Sequence, residues 1–229
     1  MEKIKIDSRT SGLESGIVCS SFDKALAELK TNGFEVISVP QNAELRIKEG
    51  EKAYLSQEGN YVREAGISIP NKGIYLVRNS PLLQFELAKK AVEANISGKE
   101  YSIEASLAKE YENKASNSLE AEVFHLTNLE PIKANEFEKD KRALWIFQDK
   151  AGSYGKFLYD SGVKEMPLWF EDMEYINSQK NAFTNQLMFR GLAGRLGTYL
   201  GSSHRSHDVE YNVRGMRKIT ESRSEDELT

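Results

Sequence analysis

The stretch 190-RGLAGRLGTYLGSSHRSHD-208 holds four glycines, three arginines and two of the chain's three histidines. Its reading decides the architecture of the C-terminal part of the chain. On a helix, at about 100° per residue, Gly191, Gly194, Gly197 and Gly201 share one arc with Arg190 and Thr198. Met188, Phe189, Leu192, Leu196, Tyr199 and Leu200 gather on the opposite side. Glycine in a helix interior costs about 1 kcal/mol relative to alanine, so such a stripe calls for a close partner. That partner is either a second backbone, within the fold or across a subunit interface, or an anion reaching the amides. If the helix instead breaks near Gly191 or Gly201, the glycines supply left-handed turns and an amide nest for phosphate. Ser202 and Ser203 then serve as caps and phosphate ligands, and Arg195 and Arg205 as bidentate donors. The spacing GLAGRLG is not GxGxxG and follows no evident strand, so it is no dinucleotide fingerprint.

His204 and His207 stand three apart and Asp208 follows, so on a helix His204 and His207, or His204 and Asp208, share a face. His125 is a conceivable third imidazole. There is no cysteine nearby and no HExxH, and arginines repel a cation, so no metal is assigned. His204, His207 and Asp208 are instead candidates for general acid–base work on a phosphoester. No cofactor is specified.

Charge points the same way. Between residues 180 and 218 seven basic residues face two acidic ones, a local excess of +5 in a chain whose net charge is -4. An uneven distribution of this kind marks an anion-binding face or a surface that pairs with acidic groups. The expected ligand-binding set is Arg190, Gly194, Arg195, Gly197, Ser202, Ser203, Arg205, Arg214, Arg217 and Lys218.

Outward from this stretch, the chain reads as α+β, with a mixed or antiparallel sheet, flanking helices and a C-terminal helical segment. KIKID and GIVCSS read as strands. Ser21 caps a helix FDKALAELKTNG that ends at Gly33, and FEVISVP follows as a strand ended by Pro40. YVREAGISIP and NKGIYLVRN pair as a hairpin. Ser80 and Pro81 open a helix that runs toward Gly98, and Ser102 to Lys114 is a second helix. LEAEVFHL is a strand, ANEFEKDKRALWIFQ is partly helical, and DKAGSYGKFLYDSG is a glycine-punctuated loop or hairpin. Its AGSYGK is too short for a P-loop. From Glu171 a long helix is expected to lead into 190–208, with Glu171, Asp172 and Glu174 in its first turn and Trp169, Phe170 and Tyr175 in the core. The division expected is a core domain over 1–165, a helical Gly/Arg-rich region over 166–218 docked on it, and a disordered tail over 219–229.

With 39% hydrophobic and 29% charged residues, the composition suits a soluble domain, and no window reaches the roughly 18–20 apolar residues of a membrane span. The opening MEKIKIDSRTSG lacks the apolar run of a secretory signal. A single cysteine, Cys19, forms no internal disulfide and reads as a buried thiol in a reducing, cytoplasmic setting. Two functions are therefore expected to compete. One is binding of a nucleic acid, nucleotide or other phosphorylated molecule, with or without phosphoester chemistry. The other is a non-catalytic homo-oligomer that uses the glycine stripe as its interface. No membrane partner is expected.

Overall fold

The computed structural model describes residues 3–10, 13–193, 198–202 and 211–219. Strands β1 (Lys5–Thr10) and β2 (Leu13–Ser20) form an antiparallel pair. Helix α1 (Phe22–Thr31) buries Phe22, Ala25, Leu26 and Leu29. It ends as its sequence dictates, since Gly33 takes φ +73° and Phe34 and Gly33 donate to the carbonyls of Leu29 and Lys30. These are the two bonds of a Schellman motif. The strand expected over FEVISVP is confined to β3 (Glu35–Val36), because Ser38 caps α2 (Val39–Glu49). Ser38 and Gln41 form a reciprocal capping box, and Pro40 sits in the first turn rather than ending a strand.

After the short α3 (Tyr54–Glu58), β4 (Gly59–Ile69) and β5 (Gly73–Val77) make the expected hairpin, with Asn71 (φ 60°) and Gly73 (φ 112°) left-handed in its turn. Ser80 caps a 3-10 turn that leads into α4 (Phe85–Ile96), and α5 (Ala105–Lys114) precedes β6 (Val123–Leu126). Next come β7 (Ile132–Lys133), α6 (Lys141–Phe147), α7 (Ala151–Asp160), β8 (Glu165–Met166) and β9 (Leu168–Trp169). The loop expected over DKAGSYGKFLYDSG is α7. Gly155 lies in this helix because an added Cβ would come within 2.5 Å of the Ala134 carbonyl oxygen.

The C-terminal part departs most from expectation. The long helix expected from Glu171 is six-residue α8 (Met173–Ser178), capped by Asp172, and is followed by strands. These are β10 (Phe183–Arg190), β11 (Leu200–Gly201) and β12 (Tyr211–Lys218). The main sheet runs β1-β2-β12-β4-β10-β11-β9, with β5 and β6 continuing from β4 and β3 on β12. Its pairings are mixed, since β12–β4 and β11–β9 are parallel and the others antiparallel. Strands β10 and β12 are therefore interior to the sheet, not a helical region docked on residues 1–165. The expected tail beyond Ile219 lies outside the described residues.

Alternation along the strands gives the sheet two buried faces. Tyr61 and Met188 join α1 and α4 in one apolar cluster, while neighbouring Val62, Leu187 and Phe189 join α2, α6 and α7 in another. The second holds Trp145, Phe147 and Tyr154, all nearly inaccessible. A strand buried on both faces lacks the alternation that marks a half-buried one, which is why β10 resembles a helix by composition. The fold is α+β, with helices on both faces of a mixed sheet.

Candidate functional site

Strand β10 ends at Arg190, opposite Gly59 of β4. Arg46 of α2, itself buried, fixes that end from below. Its guanidinium donates to the carbonyls of Phe189 (2.6 Å) and Arg190 (3.1 Å) and lies 3.9 Å from the Phe189 ring centroid. Thr198 Oγ1 also donates to the Arg190 carbonyl, at 2.7 Å, and Arg190 N–H bonds Tyr199 O. Beyond it the chain runs beside α3, with Leu192 and Ala193 donating to Ser56 and Gln57 carbonyls.

The glycines now have identified partners. A Cβ on Gly191 would come within 2.1 Å of Gln57 O, and one on Gly201 within 1.9 Å of Trp169 O. For these two positions the close partner is a backbone of the same chain. Gly194 and Gly197 lie outside the described residues, as do Arg195, Ser203, His204, Arg205, His207 and Asp208.

Around Arg190 the structure assembles rings. Arg190 Nη1 donates to Tyr211 Oη at 2.9 Å, and its guanidinium carbon stands 5.3 Å from the Tyr211 ring centroid and 6.0 Å from that of Tyr199. The Tyr211 hydroxyl donates in turn to Glu58 O. Burial pushes the Tyr211 phenol above its usual range, against the pull of the Arg190 charge, so it stays a neutral donor. Tyr199 meets Trp169 at 5.2 Å between centroids, and Trp169 is 47% exposed. Tyr54, exposed, extends the row through its hydroxyl, which accepts from Asn212. Among the described residues no carboxylate forms a salt bridge with Arg190.

The other described ligand candidates go elsewhere. Arg214 is fully buried and pairs with Asp7 (2.7 Å) and Glu49, so its charge is matched inside the fold. Arg217 pairs with Glu14 at 2.6 Å and covers the Phe34 ring. Ser202 is buried, its N–H on Trp169 O. Lys218 is exposed at the end of β12. Among the described members of the expected set, only Arg190 is held by the ring cluster. Trp169, expected in the core, is at the surface, as is Cys19. Sequence reasoning missed Tyr199 and Tyr211 because only the register of β10, β11 and β12 brings them together. His125 stacks on Tyr75 at 4.6 Å and bonds Lys72 O, and among the described residues no group of three or more His, Cys, Asp or Glu could hold a metal. No described helix is long and apolar enough to cross a membrane.

No family model matches the chain, and no curated protein matches it. A solved structure, described as "Accommodation of massive sequence variation in Nanoarchaeota by the C-type lectin fold", superposes with a TM-score of 0.62. It covers 95% of this chain and 98% of that one, at 9% identity. The chain has a C-type lectin-like fold. At this identity the likeness is one of architecture alone, which carries unrelated functions on grafted sites.

Proposed function

We propose that the chain is a binding module that takes a phosphorylated, ring-bearing ligand on the Trp169–Tyr199–Arg190–Tyr211 patch. The class is a nucleotide or a single-stranded nucleic acid. One observation carries this reading: a guanidinium in no salt bridge among the described residues stands near two tyrosine rings, with an exposed tryptophan beside them. Aromatic faces stack bases without regard to sequence, and arginine between them adds cation–π attraction and a phosphate donor. By sequence, Arg195 and Arg205 supply further positive charge, and His204, His207 and Asp208 a general acid or base if the ligand is turned over. The description of the Nanoarchaeota fold as accommodating sequence variation suits a frame in which strands are held and connecting segments differ.

A subunit or protein interface is the second reading, favoured by the same residue types, since tryptophan, tyrosine and arginine anchor protein interfaces too. The test uses a labelled oligothymidylate and ADP. Trp169→Ala and Tyr199→Ala are each expected to weaken binding by about 1–3 kcal/mol. Arg190→Met should lower the slope of log affinity against log salt by about 1. Arg205→Ala should lower it further. If neither probe nor inorganic phosphate binds at low salt, and Trp169→Ala instead shifts the sedimentation coefficient, the patch is an interface.

A further inference from the structure

A cleft of about 470 Å³ opens where the start of α2, strand β4 and the turn after α6 meet. Glu64 of β4 lines it while only 3% exposed. Both of its carboxylate oxygens share one backbone donor, Val39 N–H, at 3.1 and 3.0 Å. Arg78 lines the same cleft with its guanidinium 3.9 Å from the Trp145 ring centroid and one nitrogen on Leu119 O. Its Nη1 is buried with no hydrogen-bond partner among the described residues. Arg63 is held by Val36 O and the exposed Glu35. Neither arginine closes a salt bridge with Glu64 among the described residues, although both charges act on it. On the rim, Lys150 is neutralised by Asp149 (3.1 Å) and Glu44 (3.5 Å). Gln148 holds φ 53° there, a conformation that favours glycine and stores strain of about 1–3 kcal/mol.

A buried acceptor with spare lone pairs therefore lies near a buried guanidinium donor that lacks a partner, and the two do not satisfy each other. A native fold seldom leaves such groups open unless something else completes them. We propose that this cleft binds a free α-amino acid, its ammonium on Glu64 and its carboxylate between Arg63 and Arg78. The volume lies within the roughly 300–1,000 Å³ range of small-molecule sites, and an arginine pair offers the planar donors a carboxylate needs. This site is separate from the ring patch and independent of the function proposed for it.

The chemistry predicts its own pH signature. Burial raises the Glu64 carboxyl to about 7, against the opposing pull of the Glu64 and Val39 backbone N–H groups and then of Arg78 and Arg63, with Glu44, Asp149 and Lys150 the other charged groups facing the cleft. An ammonium seated on Glu64 demands the ionised form, so binding near neutrality releases a proton and tightens as pH rises through about 7.

The experiment is calorimetric titration of the full chain with each of the twenty free amino acids. For any that binds, its deaminated acid and its decarboxylated amine are titrated as well. Expected are binding of the zwitterion, at least tenfold weaker binding of either half-ligand, and proton release, read as a binding heat that changes with the ionisation enthalpy of the buffer. Glu64→Gln and Arg78→Met should each lose at least tenfold in affinity, with the proton release abolished in Glu64→Gln. Arg63→Met, at a partly exposed side chain, serves if the buried variants fail to unfold cooperatively. The inference is overturned if no amino acid binds at millimolar concentration, or if the bare acid or the bare amine binds as well as the zwitterion.

Discussion

Arg214 was expected at the surface as a phosphate donor, and it is buried against Asp7 and Glu49, with Asn42 and Ser15 also bonded. Removing one member of a buried ion group leaves charges without a partner, which typically costs about 3–5 kcal/mol. Arg214→Met should therefore lower the unfolding free energy by that amount in urea titration, and a loss below about 1 kcal/mol would show the network to be dispensable. Glu64 makes an opposite prediction with pH. Burial holds its folded-state pKa at about 7, above the ordinary carboxyl value of 4.5. The native state thus holds a proton that the unfolded chain has shed between those values. Stability from this group is full below about pH 4.5 and is lost as pH rises through about 7, by up to about 3 kcal/mol. The difference in unfolding free energy between the protein and Glu64→Gln, measured at pH 5 and at pH 8, should carry that slope. Cys19, exposed at 19 in an otherwise buried strand, should alkylate with iodoacetamide in the native protein, whereas an apolar run such as GIVCSS reads as buried throughout.

Helix α7 separates two uses of glycine within one turn. Gly155 meets the Ala134 carbonyl oxygen and the Phe137 Cβ at 2.5 and 2.7 Å, whereas Gly152 has only Glu138 at 3.5 Å, an ordinary contact. Gly152→Ala should stabilise the protein by about 1 kcal/mol through helix propensity. Gly155→Ala should destabilise it, and paired thermal melts decide both. Local signals served where a stop or a cap sets the element: Gly33 ends α1, although Ser21 at its start makes no side-chain cap bond and donates to Asp23 instead, and Ser80–Pro81 gives the turn before α4. The box Ser38-x-x-Gln41 was equally legible as the start of α2, but the β-branched FEVISVP before it drew the reading toward a longer strand. Glycines at 152 and 155 suggested a turn because their reason, a neighbour's backbone, is absent from local sequence. The same holds for Gly191 and Gly201, whose need for a close partner was legible while the partner was not.

At the scale of the molecule, the α+β class was legible from the sequence, with the sheet read as mixed or antiparallel; the pairing makes it mixed. The place of its C-terminal strands was not. FTNQLMFR and the NVRG part of YNVRGMRK are buried on both faces, so neither alternates cleanly, and their pairing with β4 and β2 joins residues more than a hundred positions apart. The ring patch inherits that difficulty, because Arg190, Tyr199 and Tyr211 converge only once those strands are in register. Amides of β4, β10 and β12 should exchange slowest in native-state hydrogen exchange, near the global unfolding limit; fast exchange in β12 would contradict its interior place. The order of the sheet also sets a schedule. Strand β12 sits between β2 and β4, so a ribosome must deliver residue 218 before the first two strands meet the rest of the sheet. Until then β2 presents an unpaired edge to the cell, and folding by such distant contacts runs on the slow side, in roughly milliseconds to seconds. A nascent chain stalled before 211 should therefore be a chaperone client, while the released one should not.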